Sequence, residues 1–374
     1  MPLVGPVTAS ATETGSFGPL LSAGLVLRPV ASASVPHETG SLVFDKTDNI
    51  LRVYSGTKWD QVPHAGATGG GIEYDGGYTY HVFKESGNFQ VYNNTLTCDI
   101  LMVGAGGGAG GHEGGGGGGG NVLHIQNRVI SSSTHAITVG AGGAGGQYDP
   151  RAPDWNQGSD GGHTLGFGER VYGGGGGGYI SQGGSGWTFA GSGLPGSEDK
   201  RRHDAAVGNG GGAGDHNSGT GVPGGTGSAG TCAADGTQYG GFGGGAGMDN
   251  TGTEGCGGGG GATAAAGPAG AVNAGTDGGA GKQIDFGIHN YYWGGGGGGS
   301  SNGNAGHGGI GGGGGAVGAG SEPGGGTAIN DGHASMAYDG GPGGANSGGG
   351  GGGGHNGETG GCGGSGIVIV RYIT

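Results

Sequence analysis

Residues 98–120 read CDILMVGAGGGAGGHEGGGGGGG, six apolar or polar residues that run straight into seventeen positions dominated by glycine. Ile100, Leu101, Met102 and Val103 have the β-branched and apolar character of a strand. The strand-then-GxGxxG order also spells a dinucleotide-binding fingerprint, which requires a helix immediately afterwards. HEGGGGGGG cannot supply one, because each glycine costs about 1 kcal/mol relative to alanine in a helix. The stretch therefore reads as a strand feeding a glycine rod. The same question applies to the whole chain, in which 118 of 374 residues are glycine.

Three glycine-heavy classes fail on composition. Collagen needs a strict Gly-X-Y period and abundant proline, whereas this chain has 13 prolines. A flexible linker lacks aromatics, and here there are 13 Tyr, 8 Phe and 4 Trp. Charged residues make up 11%, too few for electrostatically expanded disorder. An ordered architecture built of glycine is left. The net charge of -14, with 13 Lys plus Arg, argues against a nucleic-acid partner bound through counterion release. No apolar run approaches the roughly 20 residues of a membrane span. MPLVGPVTAS lacks a signal-peptide layout, so the expectation is a chain kept soluble without secretion.

The pattern divides the chain into three parts. Residues 1–35 read as an extended attachment arm without helical period. Residues 36–66 hold a small β-hairpin module: Leu42, Val43 and Phe44 lead into the turn at Asp48 and Asn49, then Leu51, Val53, Tyr54 and Trp59 follow. Residues 67–374 form a glycine-rich domain. Strands are expected at Tyr78–Phe83, Phe89–Tyr92, Leu96–Val103, Val122–Gln126, His135–Val139 and, at the far end of the sequence, Ile367–Ile373. The expected fold is all-β plus polyglycine II. Its β-sandwich base draws on 72–103, 121–139 and 366–374, and residues 104–120 and 140–365 are inserted as a bundle of rods with tip loops.

Glycine tracts recur at 104–120, 140–146, 173–178, 208–214, 223–230, 240–247, 255–261, 267–281, 294–299, 303–320, 324–326, 340–344, 348–354 and 360–366. The polyproline II conformation suits them: three residues per turn, no internal hydrogen bonds, and a length of about 22 to 25 Å for seven to eight residues. Every N–H and C=O then needs an outside partner, which close neighbours can supply when no Cβ separates the backbones. Ordering glycine is entropically costly, so anchors are needed. The tract-flanking aromatics Tyr172, Tyr179, Tyr239, Phe242, Tyr291, Tyr292 and Trp293 can cap the lattice.

No catalytic residue, cofactor or metal site is expected. The 13 His and 27 Asp plus Glu show no HExxH, DxDxDG or triad order. The four cysteines, at 98, 232, 256 and 362, read as isolated buried thiols, and Cys232 with Cys256 is the pair closest in sequence. Asn93-Asn94-Thr95 reads as a turn despite its sequon spelling. Candidate binding residues lie between the tracts. Tyr148 and Trp155 stand in YDPRAPDWN, Trp187 and Phe189 precede the basic cluster Lys200, Arg201 and Arg202, and Tyr291, Tyr292 and Trp293 form an aromatic triplet. Tyr and Trp anchor binding surfaces, and a basic cluster on an acidic chain can meet phosphate or carboxylate. The same cluster can equally pair with Glu198, Asp199 and Asp204 as a solvated turn.

GGYTYHVFKESGNFQVYNNTLTCDILMVGAGGGAGG (76–111) and GGSGIVIVRYIT (363–374) resemble the two ends of the glycine-rich domain of bacteriophage tail fibres and related virion proteins. GSLVFDKTDNILRVYSGTKWDQV (40–62) resembles a short phage-fibre module. The resemblance implies parallel polyglycine II rods whose tip loops bind a host surface receptor, a glycan or an outer-membrane protein. The expectation is then a non-enzymatic tail fibre or distal tail adhesin, assembled in the host cytoplasm into the virion tail. Its partners would be other tail proteins, reached through the N-terminal arm, and two further copies in a homotrimer. The rival expectation is a structural decoration protein of the head, capsid or tail without a receptor site. A glycan depolymerase ranks third, since it needs two carboxylates held roughly 5 to 10 Å apart and no focused pair stands out.

Overall fold

The structure, a computed structural model, describes residues 29–30, 39, 41–45, 50–61, 66–92, 95–147, 157–179, 209–214, 227, 234–250, 253–267, 273–318, 325–335 and 339–373. The chain divides into two compact units, Met1–His64 and Ala65–Thr374. It is all-β: the described residues form strands and one 3-10 turn, Gly287–His289, with no α-helix.

The first unit is a four-stranded sheet. Strand β1 (Pro29–Val30) runs parallel to β2 (Leu42–Asp45), and β2, β3 (Ile50–Tyr54) and β4 (Trp59–Gln61) follow antiparallel. The alternation read in 40–62 sets the register, with Leu42 opposite Val53 and Tyr54 opposite Trp59. The Tyr54 and Trp59 rings lie 5.3 Å apart, the cross-strand aromatic pairing that stabilises small sheets. Asp48 and Asn49 and most of the expected arm lie outside the described residues.

The second unit contains β5 (Ala67–Thr68), β6 (Gly71–Asp75), β7 (Tyr78–Phe83), β8 (Gly87–Val91), β9 (Thr95–Val103), β10 (Val122–Ser131), β11 (Thr134–Ile137), β12 (Thr164–Gly166), β13 (Glu169–Val171), β14 (Gly236–Tyr239), β15 (Met248–Asn250), β16 (Thr253–Gly255), β17 (Lys282–Ile284), β18 (Tyr291–Trp293) and β19 (Ile367–Ile373). Six of them make an antiparallel sheet in the order β14-β10-β9-β19-β7-β6. β19 lies inside this sheet, between β9 and β7, although it comes last in the chain. Its continuous apolar run IVIVRYI marks a strand covered on both faces. On one face Val368, Val370 and Tyr372 pack with Phe89, Val91 and Ile137 of the three-stranded sheet β11-β8-β5. On the other, Ile367 and Ile369 pack with Ile284, Phe286 and Trp293 of the β17–β18 hairpin.

Strand β10 extends beyond the expected Val122–Gln126. Its register against β9 shifts between Ile125 and Arg128, and Asn127 takes φ 55°. A bulge of this kind hides the strand's continuation behind three polar residues.

At the end of β9 the chain enters the glycine tracts, and their backbone hydrogen bonds follow a rule. In 114–121 the N–H groups of Gly114, Gly117 and Gly120 donate to Gly354, Gly351 and Gly348. Those of Gly115, Gly118 and Asn121 donate to Gly178, Gly175 and Tyr172, and those of Gly116 and Gly119 to Gly257 and Gly260, all at 2.8–3.0 Å except the Gly120 bond at 2.7 Å. Each segment thus serves three neighbours in rotation, with a period of three residues. Residues 104–110 do the same: Gly104, Gly107 and Gly110 donate to Asn121, Gly118 and Gly115, Ala105 and Gly108 to Gly162 and Ser159, and Gly106 and Ala109 to Gly364 and Gly361. Both antiparallel and parallel neighbours take part, as the falling numbers 354, 351, 348 and the rising numbers 257, 260 show. No glycine in 104–120 has a positive φ; those at Gly294 and Gly348 sit at tract ends, and those at Gly311 and Gly312 in a turn inside 303–320.

This closeness leaves no room for a side chain. A Cβ at Gly106, Gly117, Gly297 or Gly350 would lie well under 3.0 Å from a carbonyl oxygen of Gly349, Gly107, Gly351 or Gly117 respectively. At Gly267, by contrast, the nearest atom is Thr276 Cβ at 3.8 Å. Gly117→Ala should therefore destabilise the unit by about 3 kcal/mol or more, the upper range of overpacking. Gly267→Ala should be neutral or stabilise by up to about 1 kcal/mol. Urea unfolding of the two variants measures the difference, and equal midpoints would contradict the packing account.

Candidate functional site

The tracts run between two ends. One is the six-stranded sheet, where Val103 passes into Gly104 and Asn121 into Val122. The other, the far end, is marked by the turn Gly111–Gly114, at which the first tract reverses. His112 and Glu113 make this turn in the left-handed region, φ 49° and 56°. The His112 N–H donates to the Glu358 carbonyl (3.0 Å) and Gly114 N–H to Gly354 (3.0 Å), which ties the turn to the His355–Thr359 turn. Cys256 Sγ donates to the Glu113 carbonyl (3.0 Å), and Ser300 Oγ donates to the Gly114 carbonyl (3.0 Å). Asp339 accepts from both the N–H (3.1 Å) and the hydroxyl (2.5 Å) of Thr359. His112, Glu113, Cys256, Ser300 and His355 are all buried. The far end is thus a fixed platform closed by polar side chains, of which sequence reasoning named Cys256 alone, as a buried thiol. Their signal was the single pair HE interrupting the fifteen glycines and alanines of 104–120.

The described residues that flank several of the expected tip segments lie at this far end. Gly146 donates to Ala109 and Gly158 to Gly177, so Gln147 and Gln157, which bracket 148–156, stand there together. Tyr179 adjoins Gly214 at the same end and precedes 180–208, whose other flank, Asn209, hydrogen-bonds Gly119 and Gly120 near the sheet. Tyr148, Trp155, Trp187, Phe189, Lys200, Arg201 and Arg202 themselves lie outside the described residues.

The aromatic triplet Tyr291, Tyr292 and Trp293, expected among the binding residues between the tracts, is at the opposite end. Trp293 has no solvent exposure and packs in the core cluster beside Val103, Val122 and Ile369. Tyr291 sits edge-on to it at 5.9 Å and is half-buried against the same cluster, and Tyr292, on the other side of β18, is also half-buried. The hairpin docks because Phe286 lies between Tyr80 (6.5 Å) and His124 (5.7 Å), with the Arg371 guanidinium 4.5 Å over its ring and anchored on Asp99. The alternating residues of a three-residue strand were too short a pattern to reveal this packing. Of the tract-flanking aromatics expected as caps, Tyr179 is buried and Phe242 is exposed.

The thiols also differ from expectation in one place. Cys98 and Cys256 are buried, but Cys362 is exposed. Burial and the neighbouring Asp99 push the Cys98 thiol up to about 12, so it stays protonated and inert. Cys256 Sγ donates to the Glu113 carbonyl, and Cys232, its expected candidate partner, lies outside the described residues. Among the described residues no group of three or more His, Cys, Asp and Glu is placed to hold a metal ion.

Burial holds the His112 imidazole below its ordinary range, and the nearby His355 pushes it further. Burial lowers His81, His124, His163 and His289 as well. These groups are neutral in the folded protein and protonate more readily in the unfolded chain. Their contribution is complete above the unfolded value of about 6.5 and is lost as pH falls from there towards the folded values. Denaturation midpoints should accordingly drop between pH 7.5 and pH 5. His112→Asn, a residue that tolerates the left-handed turn, should flatten part of that drop, and a profile unchanged in the variant would remove His112 from the account.

Comparison with the curated proteins brings no match. Residues 83–291 match the glycine-rich domain family, a stretch that starts at the end of β7 and closes on β18, and so leaves the C-terminal strand β19 outside it. The matched stretch covers more than half of the chain, and its tracts, strand pairs and far-end turn are those described above: the chain belongs to the glycine-rich domain family.

Proposed function

We propose that the chain is a non-enzymatic bacteriophage virion protein, a tail fibre or distal tail adhesin. In this reading the glycine tracts are polyglycine II rods on a β-sandwich base, and they carry the segments 148–156 and 180–208 to a host glycan or outer-membrane protein. The observation that carries the reading is the three-residue rotation of hydrogen-bond partners along 104–110 and 114–121, the repeat of a three-fold extended helix. The negative φ of those glycines agrees with it, as does the core shared by the six-stranded and three-stranded sheets, which is the layering of a sandwich.

A lattice of this kind suits presentation. Its interior has no side chains with which to bind or react, and its rods hold their ends at fixed positions. Ordering is then paid for once, in the scaffold, so the segments at its end can vary in sequence without altering the support. The phage assignment rests on the likeness of 40–62, 76–111 and 363–374 to fibre sequences.

Two measurements test the parts separately. Backbone chemical shifts of Gly114–Gly120 should report φ near about -75° and ψ near about +145°, and values of an ordinary antiparallel strand, about -140° and +135°, would reject the rods. Purified protein should label host cells and block phage adsorption. Replacing 148–156 and 180–208 by Gly-Ser sequences of equal length should abolish both effects while leaving the unfolding midpoint in place. Undiminished adsorption blocking would put the receptor face elsewhere, and labelling absent from the unaltered protein would favour a decoration role.

A further inference from the structure

An open groove of about 370 Å³ lies between strands β10 and β11 and the turn of the β12–β13 hairpin, with Arg128, Val129, Ser131, Thr134, His135 and Phe167 along it. Its volume falls within the range of small-ligand sites, about 300 to 1,000 Å³. None of these residues belongs to the segments 148–156 and 180–208 assigned above to a host surface.

Phe167 and Gly168 are the central residues of the hairpin turn, at φ 54° and 80°. Positive φ at both positions is the type I′ geometry that ordinarily takes Asn-Gly, and a bulky residue in the first position is a backbone outlier. The ring is held edge-on to Phe89 at 5.8 Å and tilted by 38° to His135 at 5.6 Å. It remains only half-buried and forms one wall of the groove. Backbone strain maintained to hold one side chain in place is a pointer to function.

The electrostatics of the groove are set by Arg128, which the β10 bulge turns towards the hairpin. Its Nη2 donates to Asp235 Oδ1 (2.6 Å) and Glu169 Oε1 (3.0 Å), its Nε donates to Asp235 Oδ2, and its Nη1 donates to the Phe167 carbonyl (3.3 Å). One cation against two carboxylates leaves the cluster with an excess negative charge, unsuited to an anion. The rim is hydroxyl-rich and already ordered: Ser133 Oγ lies 3.3 Å from Ser131 Oγ and 3.0 Å from His135 Nε2, and Thr134 donates to Gln90 Oε1. Beside it the Val129 side chain is 61% exposed, an isopropyl group left on the surface.

An aromatic ring and an exposed aliphatic group flanked by fixed hydroxyls and an imidazole match the two sides of a pyranose, its C–H face and its hydroxyl edge. We propose that this groove binds a neutral saccharide unit, with Phe167 and Val129 against the C–H face and Ser131, Thr134 and His135 at the hydroxyls.

The test is titration of the isotope-labelled full chain with a panel of neutral disaccharides, beside a uronate-containing and an amine-bearing disaccharide, followed by amide shifts. At least one neutral disaccharide should shift the amides of Val129–His135 and Gly166–Gly168. Val129→Glu, at an exposed position, should weaken that binding at least tenfold, and so should Phe167→Asn, whose side chain suits the turn; unfolding midpoints and the remaining amide shifts establish that each variant is folded. Absence of shifts with every neutral disaccharide, equal binding by both variants, or preferential binding of the uronate or the amine would each overturn the proposal. Loss of cell labelling by the segment replacements above leaves these shifts untouched, so the two readings fail separately.

Discussion

A backbone carbonyl of one glycine segment occupies the place where a neighbour's Cβ would be. At Gly117 that carbonyl is Gly107's, at Gly350 it is Gly117's, and at Gly297 it is Gly351's. Each of these segments is therefore both excluded from and bonded to its neighbours through the same short approach. The hydrogen bonds need the approach, because the N–H groups of 104–110 and 114–121 find their partners in neighbouring segments. The approach in turn needs glycine at each crossing. An interior of this kind derives its cohesion from many modest backbone bonds, each worth about 1 kcal/mol net, in place of apolar burial.

Such an interior cannot start itself. Glycine loses more freedom on ordering than any other residue, so the tracts depend on a core that fixes their ends. That core is the six-stranded sheet, and its interior strand β19 comes from the last residues described. Val370 lies opposite Ile100 on one side and His81 on the other, contacts that span roughly the whole domain in sequence. The sheet is complete only when every tract has been threaded between its strands, a topology dominated by distant pairings and hence slow to form. Both faces of β19 are buried, one under the three-stranded sheet and the other under the β17–β18 hairpin. A segment from deep within the glycine region thus returns to lock the core from which it departs.

The strands of that core were readable because their chemistry changes abruptly against glycine. Tyr78–Phe83 and Ile367–Ile373 are found at the residues expected, since runs of β-branched and aromatic residues bounded by glycine leave little ambiguity. What stayed hidden were short elements, two to five residues long. β14 is GTQY and β17 is KQI, fragments in which no period can be counted. Their place depends on partners far along the chain, Val122 for Tyr239 and Ile369 for Ile284. The same cause places Tyr291, Tyr292 and Trp293, expected among the binding residues, at the sheet: aromatic content signals burial and binding alike. The far-end cluster was legible only as an interruption, His112 and Glu113 between glycines, and its partners Cys256, Ser300 and His355 come from three other tracts.

Where side chains are excluded, chemistry is displaced to the boundaries. Along the interior of the tracts there is little beyond peptide groups, already bonded to one another, and a few side chains such as Thr276, whose Oγ1 accepts from the Gly258 N–H. Side chains return at the far end, where His112, Ser300 and His355 close the turns, and beside the base, where Phe167, Arg128 and His135 surround a groove. The two places differ in the way they are held. At the far end the polar atoms serve neighbouring carbonyls and fix the platform, while at the groove the strain of Phe167 and the exposed Val129 leave a surface on which a further molecule can complete the contacts. A chain that is nearly one third glycine thereby separates its backbone-bonded interior from its side-chain-bearing surfaces more sharply than an ordinary domain, in which the same apolar residues serve both.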